Sequence, residues 1–184
     1  MCIRDSGRSS CATANYSTAS GYAAQATGLS STASGYKSCA TSTNSSAFGH
    51  KSCAITGAGV TAVGYNSCAI GQFSSAFGYV AKATGLYSTA SGYSSTASGA
   101  YSTAMGHGSC ATGAYANAFG YQAKALTTAA LALGWRSCAT GTEASAFGYS
   151  SVACGINDIA IGRSAITVPY AGATNQCPEA NISI

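Results

Sequence analysis

The stretch GLYSTASGYSSTASGAYSTAMGHG, from Gly85 to Gly108, decides the fold. It holds one leucine, one methionine, three tyrosines and one histidine among Ser, Thr, Ala and Gly. Such a composition belongs either to a flexible linker or to a structure that buries only methyl-sized groups. The order of the residues separates the two. Ala90, Ala97 and Ala104 stand seven apart, each with a serine two places before it and a glycine two places after.

Extended both ways, the frame x-x-S-x-A-x-G runs from Arg8 to Gly162. Its fifth position is Ala in all 22 copies, from Ala12 to Ala160. The third position is small almost throughout, with Val60 and Asp158 as exceptions. Gly closes most copies; Ala14, Ser42, Thr56 and Thr127 depart. One extra residue enters in GAGVTAVG, Gly57–Gly64. Compositional bias alone would not hold one position to Ala, so this is a repeat architecture.

The full period is fourteen. The residue opening every second copy is Tyr22, Tyr36, His50, Tyr65, Tyr79, Tyr93, His107, Tyr121, Trp135 and Tyr149. The alternate copies open on Asn15, Leu29, Thr43, Gln72, Leu86 and Ala100. A coiled coil also repeats every seven residues, but frequent Gly with Thr and Ser opposes helix, and no Leu or Ile seam occupies two positions per heptad. Within S-x-A-x the alternation has period two, the mark of a strand. Proline is absent from the array, as donors to a hydrogen-bond ladder require. The expected fold is therefore all-β: a parallel β-roll, a solenoid of about eleven turns, each made of two short strands and two glycine-permitted corners. Turns stack about 4.8 Å apart, giving a rod roughly 50 Å long. Positions three and five point inward, and only Ala, Ser and Gly fit so thin an interior.

Composition sets further limits. Charged residues make up 7% of the chain and the formal charge is +4, unlike the high-charge signature of disorder. No apolar run is long enough for a membrane-spanning helix, so no direct membrane insertion is expected, and the opening residues lack an export-signal pattern. Residues 1–7 stand outside the frame as a leader foreign to it; 8–162 form the array; 163–184, with Pro169 and Pro178, are expected to cap the open edge or lead to a stalk or anchor.

NSCAIGQFSSAFG, Asn66–Gly78, and INDIAIG, Ile156–Gly162, resemble the head repeat of YadA-like trimeric autotransporter adhesins, whose motif reads N-S-V-A-I-G-x-x-S-x-A-x-G. The resemblance spans most of the chain. It implies a left-handed parallel β-roll, a homotrimer, outer-membrane anchorage through a segment outside this chain, and adhesion to host matrix protein, glycan or other cells. Similar repeats occur in phage and viral fibres, so a virion tail-fibre segment is the alternative owner. In the family, the Val and Ile of the S-V-A-I-G strand face the trimer axis. Here that strand often reads SCAT, at Ser10, Ser38, Ser109 and Ser137, while the other half carries Phe48, Val63, Phe77, Met105, Phe119, Leu133, Phe147 and Ile161 at its sixth position. The residues leave the interface face open. The expectation is that the Phe column is buried between chains, because regular exposed Phe makes an apolar stripe.

Candidate chemistry is sparse. Cys11, Cys39, Cys53, Cys68, Cys110 and Cys138 share one position in the aromatic-led half. They read as small apolar fillers or as partners for disulfides between adjacent turns; a straight column does not converge on a tetrahedral metal, so no metal or cofactor is expected. Asp5, Glu143, Asp158 and Glu179 form no acid–base pair, and no phosphate loop is present, so no catalysis is expected. The ladder of Tyr22, Tyr36, Tyr65, Tyr79, Tyr93, Tyr121, Trp135 and Tyr149 either shields the core or stacks on sugar rings. Arg8, Lys37, Lys51, Lys82, Lys124 and Arg136 all lie in the cysteine-bearing half, too sparse for nucleic acid. An ice-binding solenoid needs an unbroken Thr array. The Phe-bearing half offers Thr18, Thr32, Thr61, Thr89 and Thr103, interrupted by Ser46, Ser75, Asn117, Leu131, Ser145 and Ile159.

Overall fold

The computed structural model describes residues 4–167 and 182–183. It contains two parallel sheets wound as a solenoid: thirteen strands in one, twelve in the other. Successive strands alternate between the sheets, and each pairs with the strand one turn away. The count is about twelve turns, against the eleven read from the frame, because the sheets run past it at both ends. Arg4–Ser6 pairs with Thr18–Ser20, and Ile166–Thr167 pairs with Val152–Ala153. The remainder of the expected cap, 168–181 and 184, lies outside the described residues, as does 1–3.

The two halves of each turn differ. The Phe-bearing half forms three-residue strands such as Thr103–Met105, here called the long-strand sheet. The aromatic-led half forms two-residue strands such as Cys110–Ala111, the short-strand sheet. Ladder register is in phase throughout: Ala90 faces Ala104 and Ala104 faces Ala118. Thr103 N–H donates to Ala116 O at 3.0 Å and Gly106 N–H to Ser91 O at 2.8 Å.

The interior is as thin as the residue pattern requires. Every fifth-position alanine from Ala19 to Ala160 is fully buried, and the third-position serines line the same hollow. Val60 and Asp158 are the largest fully enclosed side chains. Many of these serines close the corner before them. Ser109 Oγ donates to Gly106 O at 3.2 Å and Ser38 Oγ to Gly35 O at 3.2 Å, which satisfies those buried hydroxyls, whereas the buried Oγ atoms of Ser31, Ser88, Ser95 and Ser102 have no hydrogen-bond partner among the described residues.

Glycine is not the whole of the corner. At every second position from Ser9 to Ser164 the backbone is left-handed, and the residue is usually not glycine: Lys37, Asn66, Val80 and Tyr101 have φ between 51° and 57°. The ladder offsets this conformational cost, since the same residues donate across turns: Lys37 N–H to Tyr22 O at 2.8 Å and Tyr101 N–H to Leu86 O at 2.7 Å. In both glycine columns a Cβ would strike the carbonyl of the next turn, and one column has a second cause in its dihedral angle. Gly106, closing a long strand, has φ 122°, outside the left-handed well other residues enter. Gly99, closing a short strand, has no such angle; a Cβ there would run into the carbonyl of Gly113 in the next turn.

Candidate functional site

A ring column is built by the corner that leads out of each long strand. The ring-bearing residue follows the φ-positive glycine, and its carbonyl accepts from the second-position N–H one turn on: Gly108 N–H to Tyr93 O, and Gln122 N–H to His107 O, both 2.8 Å. With the backbones locked at turn spacing, the rings must stack. From Tyr22 to Tyr149 the column is unbroken. Tyr79 and Tyr93 have centroids 4.9 Å apart and planes 4° apart; Tyr121 and Trp135 approach to 4.0 Å. Tyr93 and Trp135 keep 50% and 46% of their surface in solvent. Because each ring is stacked on the next, the exposed part of the column is a ledge of ring edges. Cations flank it, with Lys37 Nζ 5.3 Å from the Tyr36 ring and the Arg163 guanidinium 5.6 Å from Tyr149.

A second, shorter ladder stands at the opposite corner and was not anticipated. Phe73, Tyr87, Tyr101 and Tyr115 stack at 4.9, 5.2 and 5.1 Å. Its signal was present in the sequence, as four rings at the second position of alternate copies fourteen residues apart. These residues sit in left-handed backbone, where bulky side chains are uncommon.

The Phe column lies on the outer face of the long-strand sheet. Phe48 is in register with Val63, Val63 with Phe77, Met105 with Phe119, Phe119 with Leu133, Leu133 with Phe147 and Phe147 with Ile161. Ser91 makes the single break, between Phe77 and Met105. Phe48, Phe77, Met105, Leu133 and Ile161 are exposed; the others are half-buried. The strands carrying this face, from Thr18–Ser20 to Ile159–Ile161, contain no charged residue. The Thr positions share the face but alternate with Ser46, Ser75, Asn117, Leu131 and Ser145, while Thr96 belongs to the other sheet.

The cysteines lie on the outer face of the short-strand sheet, half-buried and free among the described residues. Cys39 is in register with Cys53, and Cys53 with Cys68. Cys110 instead faces Thr96 and Lys124, and Cys138 faces Lys124 and Val152. Hydrogen bonding to the central Cys53 thiol holds Cys39 and Cys68 down to about 7, and the same bonds push Cys53 up. Burial pushes Cys110 up. No group of three His, Cys, Asp or Glu among the described residues is arranged to hold a metal ion.

The family model described as the YadA head domain repeat (2 copies) matches residues 12–38, 69–95, 83–109, 111–137 and 139–165, together well over half of the chain. No curated protein matches it.

Proposed function

The chain belongs to the YadA-like head-repeat family, and from that premise we propose that it is a non-catalytic adhesion head, assembled as a homotrimer through its long-strand sheet. Heads of this family are trimer-forming, surface-displayed repeat domains of adhesin type. The assignment of the interface to this face rests on one observation: the in-register Phe48–Ile161 column on a face without charge. Exposed apolar stripes of that regularity are costly in water and mark association surfaces. The other face carries Lys82 and Lys124 within its strands. At a threefold axis each lysine would meet two copies of itself, a like-charge contact that opposes assembly.

With the long-strand sheets turned inward, the long ring ladder lies along an outer corner. The ligand class it fits is a saccharide, whose C–H groups pack along the row of exposed ring edges and whose hydroxyls reach the Tyr oxygens. Matrix protein is the other partner class that the family resemblance implies. The test has two parts. Sedimentation equilibrium of the intact chain should give a trimer, and Phe77→Lys with Phe119→Lys should give a monomer that keeps its β-sheet circular dichroism. Glycan-array binding should then fall on Tyr79→Ala with Tyr93→Ala, without loss of the trimer. A monomeric parent would sink the interface; a binding profile indifferent to the ring variants would sink the ledge.

A further inference from the structure

Cys39, Cys53 and Cys68 occupy three consecutive rungs of the short-strand sheet. In-register parallel strands place such residues about 4.8 Å apart at Cα, inside the range a disulfide spans. All three thiols are partly open to solvent. No other described cysteine has a cysteine in register with it: Cys11 faces Gln25, Cys110 faces Thr96 and Lys124, Cys138 faces Lys124 and Val152, and Cys154, whose charge helps to raise the Cys138 pKa, lies just past the strand Val152–Ala153.

The rungs are placed where the array is least regular. The strand pairs around them are fourteen residues apart, but Cys53 and Cys68 enclose the extra residue of the frame. In that turn Thr56 takes φ 76° at a position that Gly holds in most copies. Gly59 stands where the second ring ladder would continue below Phe73, and a Cβ there would strike the Phe73 ring at 2.7 Å. The irregular turn also opens a shallow notch lined by Thr41, Ser42, Thr43, Ile55, Thr56 and Ala58. The short ladder therefore ends at this turn, and the ladder of the opposite corner alone carries ring stacking across it.

We propose that Cys39, Cys53 and Cys68 form an oxidisable staple, a modification site at which a hydroperoxide joins Cys53 to one neighbour and clamps adjacent turns together. The chemistry balances with hydrogen peroxide as the two-electron oxidant. The Sγ of an outer cysteine attacks one peroxide oxygen and the O–O bond breaks. A sulfenic acid forms and the other oxygen leaves as hydroxide, which takes up the thiol proton to become water. The Cys53 Sγ then attacks the sulfenic sulfur, the S–S bond forms, and the sulfenic oxygen leaves with the second thiol proton as water. Two thiols are oxidised, one peroxide is reduced, and two waters result. The remaining outer thiolate can attack Cys53 and expel the first partner. That exchange moves the bond from Cys39–Cys53 to Cys53–Cys68 with no net oxidation. The outer pair cannot join directly, since two rungs separate them by about 9.6 Å. The lowered pKa of Cys39 and Cys68 supports their role as the attacking thiols.

Tryptic mapping after treatment of the intact chain with hydrogen peroxide reads the outcome directly. Cleavage after Lys37, Lys51 and Lys82 places Cys39 in peptide 38–51, Cys53 with Cys68 in peptide 52–82, and Cys110 in 83–124. The expected products are peptide 38–51 linked to 52–82, and peptide 52–82 lighter by two hydrogens, with Cys110 still alkylatable. Cys53→Ala should abolish both products and leave Cys39 and Cys68 unbridged, oxidised no faster than Cys110. Cys39→Ala should retain only the internally bridged 52–82 peptide. In the parent, the oxidised form should melt at a higher temperature than the reduced form. Three thiols that stay alkylatable under peroxide, bonds between chains in place of bonds within one, or a Cys39–Cys68 bond in Cys53→Ala would each overturn the staple. None of these outcomes depends on the trimer or on saccharide binding.

Discussion

Gly106 and Gly108 are two residues apart, both with positive φ, yet replacing each by Ala should have very unequal consequences. At Gly106 φ is 122°, and an added Cβ would lie 2.8 Å from the Gly120 carbonyl carbon and nearer still to its oxygen. Carbon–carbon contact needs about 3.5 Å, so the next turn must open by about 0.7 Å. The adjacent ladder bond, Gly120 N–H to Met105 O at 2.8 Å, would stretch to about 3.5 Å, the limit at which a hydrogen bond counts. Losing that bond costs about 1–3 kcal/mol, and forcing Ala into this φ adds about 1–3 kcal/mol. Gly106→Ala should therefore destabilise by about 2–6 kcal/mol. At Gly108 φ is 64°, the conformation held by Lys37, Tyr101 and Gln122, and the nearest atom is a side-chain carbon of Gln122 at 3.4 Å. The left-handed cost of about 1–2 kcal/mol is partly offset by about 0.4–1 kcal/mol of unfolded-chain entropy. Gly108→Ala should therefore cost between about 0 and about 1.6 kcal/mol. Urea unfolding followed by β-sheet circular dichroism measures both. Because repeat arrays lose cooperativity at a weakened interface, the Gly106 variant should also split its transition. Equal midpoint shifts for the two variants would refute this account of the corners.

Val80 holds a β-branched side chain at φ 55°, a genuine outlier for its type. Val80→Asn, the residue found at the equivalent Asn44 and Asn66, should raise stability by about 0.5–1 kcal/mol in the same urea experiment. Ala118 is fully buried between facing layers; Ala118→Leu should cost about 1–3 kcal/mol or more, seen as a lowered melting temperature, because no rotamer finds space. At pH 7 a thiol held near 7 is about half thiolate, against about 1% for one at the ordinary 9.0. Iodoacetamide should thus label Cys39 and Cys68 well ahead of Cys110, and Cys53→Ala should erase the lead, with labelling rates read by peptide mass.

Much of this molecule was legible before its coordinates. Ala at one position in every copy can only mean a wall that admits a methyl group, and Ala90, Ala97 and Ala104 are enclosed as expected. The long ring ladder was equally plain, since identical spacing in a parallel array forces Tyr79 over Tyr93. The short ladder was missed although its rings are just as regular. Phe73 and Tyr101 stand in a position that elsewhere in the same half holds residues as varied as Ser30, Asn44, Gly59, Ala129 and Glu143, and nothing local says that a left-handed residue will present its ring along an edge.

Periodicity by itself determined the architecture, because in a solenoid each turn contacts only its neighbours and one repeat carries the rule for all. It also determined which residues share a column. What a column confronts was decided by tertiary structure alone. The two glycine columns look alike in sequence, yet both must lack a Cβ and only one also needs a dihedral angle that other residues avoid. The six aligned cysteines look alike too, yet only Cys39, Cys53 and Cys68 occupy neighbouring rungs with thiols close enough to share hydrogen bonds and alter one another's acidity. Dihedral angle and interatomic distance are properties of the closed turn, and a residue pattern carries neither.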